Sequence, residues 1–349
     1  MPILTDHLDA VVGVDTHTDT HTAALLTPLG AVLTHTQVSA DATGAADLLT
    51  WAGEHSPGTR IVFAVEGTRS HGLGLTRALR AAGAHVVEAP APPAATRRRT
   101  GKSDPLDAVA AARAALSSTH LSEPRADGDR EALRLLLTTR RHYCDTRTAT
   151  INLFKSLILT ADDPLRDDLR ALSTTRQVHR AAAGWPTEHH STEQRLRRQH
   201  LTALAQQIHH LDRALSDNHR QLRALITATM ATLLDLPGVG PVTAATLLTT
   251  WSHPGRVRSE AAYAALAGVN PIPASSGRIT RHRLNRGGDR TLNCALHTIA
   301  TTRRRCDPTT IAYVEQRRAD GKTDRDITRC LKRYLARQLY RHMQTHATP

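Results

Sequence analysis

Four carboxylates in the first third of this 349-residue chain carry most of the chemistry its side chains can do. Asp15 ends the apolar run Ala10-Val-Val-Gly-Val-Asp15, and Glu66 ends a second one, Ile61-Val-Phe-Ala-Val-Glu66. Asp104 and Asp107 sit in Gly101-Lys-Ser-Asp-Pro-Leu-Asp-Ala108. A buried acid is costly unless it is paired or metal-bound, and no obvious fixed cation adjoins Asp15 or Glu66 in the sequence. An all-oxygen pocket of such groups suits Mg²⁺ or Mn²⁺. Two ions roughly 4 Å apart would activate a nucleophile and stabilise a leaving oxygen in phosphoryl transfer. Asp104-Pro105-Leu-Asp107 also reads as a helix start, with Asp104 the N-cap and Asp107 compensating the dipole. An acid can begin a helix and also point at an ion, so the two readings coexist.

A second reactive stretch lies far downstream. Gly268-Val-Asn-Pro-Ile-Pro-Ala-Ser-Ser-Gly277 is followed by Arg278, Arg281, Arg283, Arg286 and Arg290 against one acid, Asp289. Ser275 and Ser276 are either plain loop serines or, among phosphate-binding guanidinium groups, a candidate nucleophile on a phosphodiester. The basic run Arg97-Arg98-Arg99-Thr-Gly-Lys102 abuts the acid pair and reads as a solvated loop or a phosphate clamp, the clamp being preferred. Pro237-Gly238-Val-Gly240, opening a helix, matches the hairpin of helix-hairpin-helix modules, where glycines expose backbone N–H groups to phosphate. An ordinary interhelical turn is the other reading. His17, Asp19 and His21 alternate after Asp15 and are taken as surface and turn residues.

These residues need elements to position them. Val/Ile-rich runs bounded by turn residues predict strands at 10–15, 22–27, 31–37, 61–66 and 84–88. Helices are expected at 41–54, 70–82 and 104–116. From about 128 to 232 apolar residues recur at helical spacing, as in Leu201, Leu204, Ile208, Leu211 and Leu215, with Gly184-Trp-Pro186 breaking two long arms. Such arms form a bundle or coiled coil with a dimerisation seam. The chain therefore divides into 1–125, 126–230 and 231–349, the last mostly helical.

The net charge is +13 with histidine neutral, and the pI is about 10.5. A polyanionic partner follows, nucleic acid ahead of membrane, since no apolar run reaches the roughly 18 residues that span a bilayer. Scattered Cys144, Cys294, Cys306 and Cys330 exclude a zinc ribbon and fit a reducing compartment. The expectation is a soluble, cytoplasmic, nucleoid-associated protein.

Together the motifs resemble the IS110/IS1111 (IS116/IS902-type) family of DEDD transposases nearly end to end. The residues that carry the resemblance are Val12-Gly-Val-Asp15-Thr-His17, Glu66-Gly-Thr68 with Gly72, Gly101-Lys-Ser-Asp104-Pro-Leu-Asp107, Leu236-Pro-Gly-Val-Gly-Pro241 and Gly268-Val-Asn-Pro271 leading to Ser276-Gly277. The resemblance implies a ribonuclease H/RuvC-like N-terminal domain, a helical coiled-coil middle and a C-terminal transposase domain. It implies that Asp15, Glu66, Asp104 and Asp107 bind the metal and that Ser276, with Ser275 as alternative, is the nucleophile. Expected partners are the element ends and target DNA, a guide (bridge) RNA encoded in the element, and further copies of the chain in a dimer or tetramer. Thr18 stands where the family often has lysine, and Gly288-Asp-Arg-Thr-Leu-Asn293 where it has Gly-Asn-x-x-Leu-Arg. The alternatives are a metal-dependent, Holliday-junction resolvase-like nuclease with an inert serine, and a decayed, non-catalytic nucleic-acid-binding copy.

Overall fold

A computed structural model of the chain describes residues 8–89, 103–118, 121–186, 191–275 and 282–347. They form two compact units, Met1–Ala126 and Asp127–Pro349. The first is mixed α/β and the second almost wholly helical.

The N-terminal unit is built on one sheet. β1 (Ala10–Thr16), β2 (Thr20–Leu26) and β3 (Val32–Ser39) form an antiparallel meander. β4 (Ile61–Val65) and β5 (His85–Glu88) add in parallel on the other side of β1, giving the order β3-β2-β1-β4-β5. β1 is central and fully buried, as its unbroken apolar run requires of a strand covered on both faces. α1 (Ala42–His55) and α2 (Leu73–Ala81) pack with Val12, Val14 and Phe63 on one face. α3 (Asp104–Leu116) packs with Val11, Val62 and Ala64 on the other.

The seat of α3 is set by one glycine. A Cβ on Gly13 would stand 2.1 Å from the Ala108 carbonyl oxygen and 2.6 Å from the Ala112 nitrogen. Helix backbone therefore lies directly on β1, and the alanines of α3 are what make so close an approach possible. α2 is shorter than expected because Glu66–Gly72 is spent in turns, with Gly67 at φ +65°.

In the C-terminal unit α4 (Asp129–Leu159) and α7 (Thr192–Met230) run antiparallel. Asn218 donates to the Leu136 carbonyl at 2.9 Å, Arg147 pairs with Asp212 at 2.5 Å, and Arg197 donates to the Leu157 carbonyl at 2.8 Å. Two short helices, α5 (Asp163–Arg170) and α6 (Thr174–Ala182), close one end around Phe154, Leu169 and Leu201. At the other end Leu133, Leu222, Ile226 and Met230 share a core with α8 (Pro241–Trp251), α9 (Glu260–Leu266), α10 (Arg290–Cys306), α11 (Pro308–Ala319) and α12 (Asp324–His346). A two-stranded ribbon, β6 (Pro271–Pro273) with β7 (His282–Leu284), projects between α9 and α10. No helix among the described residues is long and apolar enough to cross a membrane.

Candidate metal centre

β1 carries Asp15 to its C-terminal end, where the residue keeps only 8% of its surface exposed. Val14 pairs with Val65 in the parallel register, so Glu66 follows beside Asp15 on the neighbouring strand end. Two hydrogen bonds fix that juxtaposition: the Glu66 N–H donates to the Val14 carbonyl at 3.0 Å, and Thr16 Oγ1 donates to the Glu66 carbonyl at 2.9 Å. Alternation along β1 puts Asp15 on the same face as Val11 and Gly13, the face covered by α3.

α3 begins at that face. Ser103 is the N-cap and makes no side-chain cap bond, Pro105 is in the first turn, and Asp104 and Asp107 supply its acids. Asp104 is thus the first helical residue and not the cap, and both acids answer the helix dipole. Both also raise the pKa of Asp15 by charge repulsion, although burial is the largest cause of that rise and His17 opposes it.

His17 holds the group together. Its Nε2 lies 3.1 Å from Asp15 Oδ2 and 3.4 Å from Asp104 Oδ1. One ligand atom from each of Asp15, His17 and Asp104 lies within 4.8 Å of the others. This overturns the expectation for His21, which is buried on β2, and not for His17, which is exposed at the β1–β2 turn as expected. His17 does sit in the β1–β2 turn, its N–H donating to the Thr20 carbonyl at 3.1 Å, but the ring turns back over the acids. His21 is 2% exposed with Nδ1 unpartnered among the described residues, and burial lowers its pKa. Asp19, like His17, is an exposed residue of that turn as expected. The spacing, two residues from a strand-end acid, is compatible with a side chain folded back onto it but describes an ordinary turn equally well.

A buried carboxylate whose other neighbours are carboxylates and a histidine is a donor set fitted to a cation. Asp107 and Glu66 do not join the three-residue group, although Asp107 acts on Asp15 electrostatically.

The remaining predicted residues are spread over the chain. Arg97, Arg98, Arg99, Lys102, Ser276, Arg278 and Arg281 lie outside the described residues. Ser275 is exposed, two residues beyond β6. Arg283 is on β7, Arg286 follows it and Arg290 opens α10, all exposed. Asp289 is the N-cap of α10, accepting from the N–H groups of Thr291 and Leu292 at 2.8 and 2.9 Å. The acid at that position is therefore used within the fold. Gly238 adopts φ +77° against α10, where a Cβ would meet the Ile299 carbonyl oxygen at 2.9 Å. The Gly240 N–H, at the start of α8, donates to Thr243 Oγ1 at 2.9 Å.

A mixed α/β unit with a strand-end acid cluster, followed by a helical unit, agrees with what the comparisons return. Residues 12–161 match the IS110-type DEDD transposase family model, and residues 230–315 match that of the IS116/IS110/IS902 transposase family. Over 132 residues the chain is 37% identical to an uncharacterized 43.6 kDa protein of insertion element IS110 from Streptomyces coelicolor, a match covering 36% of this chain. The matched stretch spans about a third of that relative, 32% of its length. The chain belongs to the IS116/IS110/IS902 family of insertion-sequence transposases.

Proposed function

We propose that the protein is the DNA transposase of an insertion sequence, cutting and rejoining DNA with a metal-binding acid tetrad and a nucleophilic serine. The observation that carries this reading is the buried Asp15 carboxylate set against Asp104, Asp107 and His17 in a chain of this family. The strand order and the acids at strand ends and helix start support a ribonuclease H/RuvC-like reading of the N-terminal unit. Asp15, Glu66, Asp104 and Asp107 are the residues that would hold Mg²⁺ or Mn²⁺. When bound, such an ion neutralises charge at a phosphoryl group and favours the ionised form of a coordinated oxygen nucleophile.

The chain's own side chains do the rest. Ser276 Oγ attacks the scissile phosphorus, its proton leaves, and the bond to the departing deoxyribose oxygen breaks as that oxygen is protonated. The product is a serine–phosphate diester, and attack by a new DNA hydroxyl reverses the step and frees the serine. Arg283, Arg286 and Arg290, with Arg278 and Arg281, neutralise the phosphate by forked hydrogen bonds. Arg97, Arg98, Arg99 and Lys102 grip the backbone of the same polyanion, whereas the Val239 and Gly240 N–H groups of the Gly238–Gly240 turn donate to Leu236 and Thr243. The +13 charge suits a protein that holds DNA together with a bridge RNA which selects the donor and target sequences. Residues 126–230 would serve as the coiled-coil arm of a dimer or tetramer, and 231–349 as the serine-bearing domain.

The test is a denaturing gel for a covalent protein–DNA adduct, using element-end DNA, transcripts of the flanking sequence and Mg²⁺. An adduct lost with Ser276→Ala and kept with Ser275→Ala is the expected result. A second reading, a resolvase-like nuclease, draws on the acid cluster alone, which contains no serine. Cleavage that survives both serine substitutions without any adduct would establish it instead.

A further inference from the structure

We infer that His17 is a direct nitrogen ligand of the metal at this site, and that it gives the site a preference for Mn²⁺ over Mg²⁺. The inference rests on the metal reading above and adds a residue and a selectivity to it. An octahedral ion with bonds of about 2.1 Å sets neighbouring ligand atoms about 3 Å apart. His17 Nε2 stands at 3.1 Å from Asp15 Oδ2 and 3.4 Å from Asp104 Oδ1, close to the edge spacing of such a shell. One ligand atom from each of the three residues already lies within 4.8 Å of the others.

The local structure aims the ring. The β1–β2 turn is closed by the His17 N–H on the Thr20 carbonyl, and Thr16 pairs with His21 immediately behind it. Among the described residues, the ion-pair partner of Asp15 and of Asp104 is His17. No lysine or arginine there competes with an ion for these oxygens.

The chemistry then decides the metal. Mg²⁺ favours an all-oxygen shell and gains little from imidazole, whereas the first-row divalent metals bind nitrogen donors well. A site with two carboxylate oxygens and one imidazole nitrogen therefore discriminates towards Mn²⁺ more than the four carboxylates would.

The test uses the purified full-length chain and Mn²⁺ as probe, with no DNA. Electron paramagnetic resonance follows Mn²⁺ binding in competition with Mg²⁺, and electron spin echo modulation reports nitrogen bonded to the ion. The wild-type chain is expected to show nitrogen coupling and at least about tenfold tighter Mn²⁺ than Mg²⁺ binding. His17→Ala should lose the coupling and weaken Mn²⁺ by about tenfold, with Mg²⁺ changed by less than about threefold. His17→Gln, which offers oxygen, should narrow the preference without restoring the coupling. His71 is exposed in the turns between β4 and α2, and His71→Ala should leave all of this unaltered. Bound Mn²⁺ that requires Asp15 but shows no nitrogen coupling, or keeps it in His17→Ala, overturns the inference and leaves the metal reading standing. Mn²⁺ that does not bind, or binds Asp15→Asn as well as the wild type, overturns both.

Discussion

Each unit of this protein buries a charged side chain, and the two are treated in opposite ways. In the C-terminal unit Arg303 is 6% exposed, with Nε donating to the Pro237 carbonyl at 2.7 Å and Nη1 to Gln338 Oε1 at 3.0 Å. In the N-terminal unit Asp15 is 8% exposed, and the groups around it include Asp104 and Asp107, which worsen its position, and a histidine that is charged only when protonated. Burial shifts both groups towards their neutral forms, raising Asp15 and lowering Arg303. Arg303 is answered at Nε and Nη1 by fixed dipoles of the fold itself, although Nη2 has no partner among the described residues, so its charge serves the structure. Asp15 is answered incompletely, so its charge is available to something that arrives.

The comparison breaks most readily on activity. Asp15→Asn keeps the shape and the hydrogen bond to His17 but removes the charge. Strand cleavage should fall by at least about a thousandfold, or about 4 kcal/mol of transition-state stabilisation, in a gel assay with the matched DNA. The thermal midpoint of the metal-free protein should meanwhile hold or rise, because a carboxylate that opposes folding has been neutralised. A midpoint that drops along with the activity would make Asp15 a structural residue like Arg303.

Gly13→Ala addresses how the acids are brought together. The added methyl meets the backbone of Ala108 and Ala112, which cannot rotate away as a flexible side chain would. A cost of about 3 kcal/mol is expected, read by denaturant unfolding. Mn²⁺ affinity should fall at the same time, since Asp104 and Asp107 ride on the displaced helix. Unchanged stability would mean that α3 is not seated on β1 as described.

The third change tests the structural side. Arg303→Met leaves the Pro237 carbonyl and Gln338 without their donor, and about 2 kcal/mol of stability should go with them. The loss should fall on the C-terminal unit, seen as a shift in its unfolding with Mn²⁺ binding intact. If the stability is unchanged, the contrast between the two buried charges loses one of its terms.

Much of this arrangement could be read before any coordinates. The strands at 10–16, 61–65 and 85–88 followed from apolar runs that only a doubly covered sheet accommodates. The strand-end acids and the acidic start of α3 came from the same punctuation. What could not be read was long-range or rotameric. Nothing in Gly13 or in the alanines of α3 says that one lies on the other. Nor does His17 reveal which way its ring turns, because a two-residue spacing after a strand describes a turn as well as a ligand. The core joining Leu133 and Leu222 to Leu296 and Leu339 likewise arises from packing across distant segments, which local periodicity does not encode. Ser276, Arg278 and Arg281 lie outside the described residues, and their roles remain proposals from the sequence.

The smallest expected effect concerns a titratable group that the fold holds neutral. His342 is partly buried on α12, its Nε2 2.9 Å from Thr232 Oγ1, with the His346 ring stacked at 4.1 Å and Asp235 acting in the opposite sense. Burial, helped by His346, lowers its pKa, so below about pH 6.5 the unfolded chain takes up a proton that the folded chain still refuses. Stability of the C-terminal unit should therefore decline as the pH falls from that value to the native pKa of His342, by less than about 1 kcal/mol. The chain has 21 histidines, so the informative quantity is a difference: thermal midpoints of wild type and His342→Gln between pH 7.5 and 5 should converge as the pH falls. Parallel curves would show that the packing around His342 does not distinguish its protonation states.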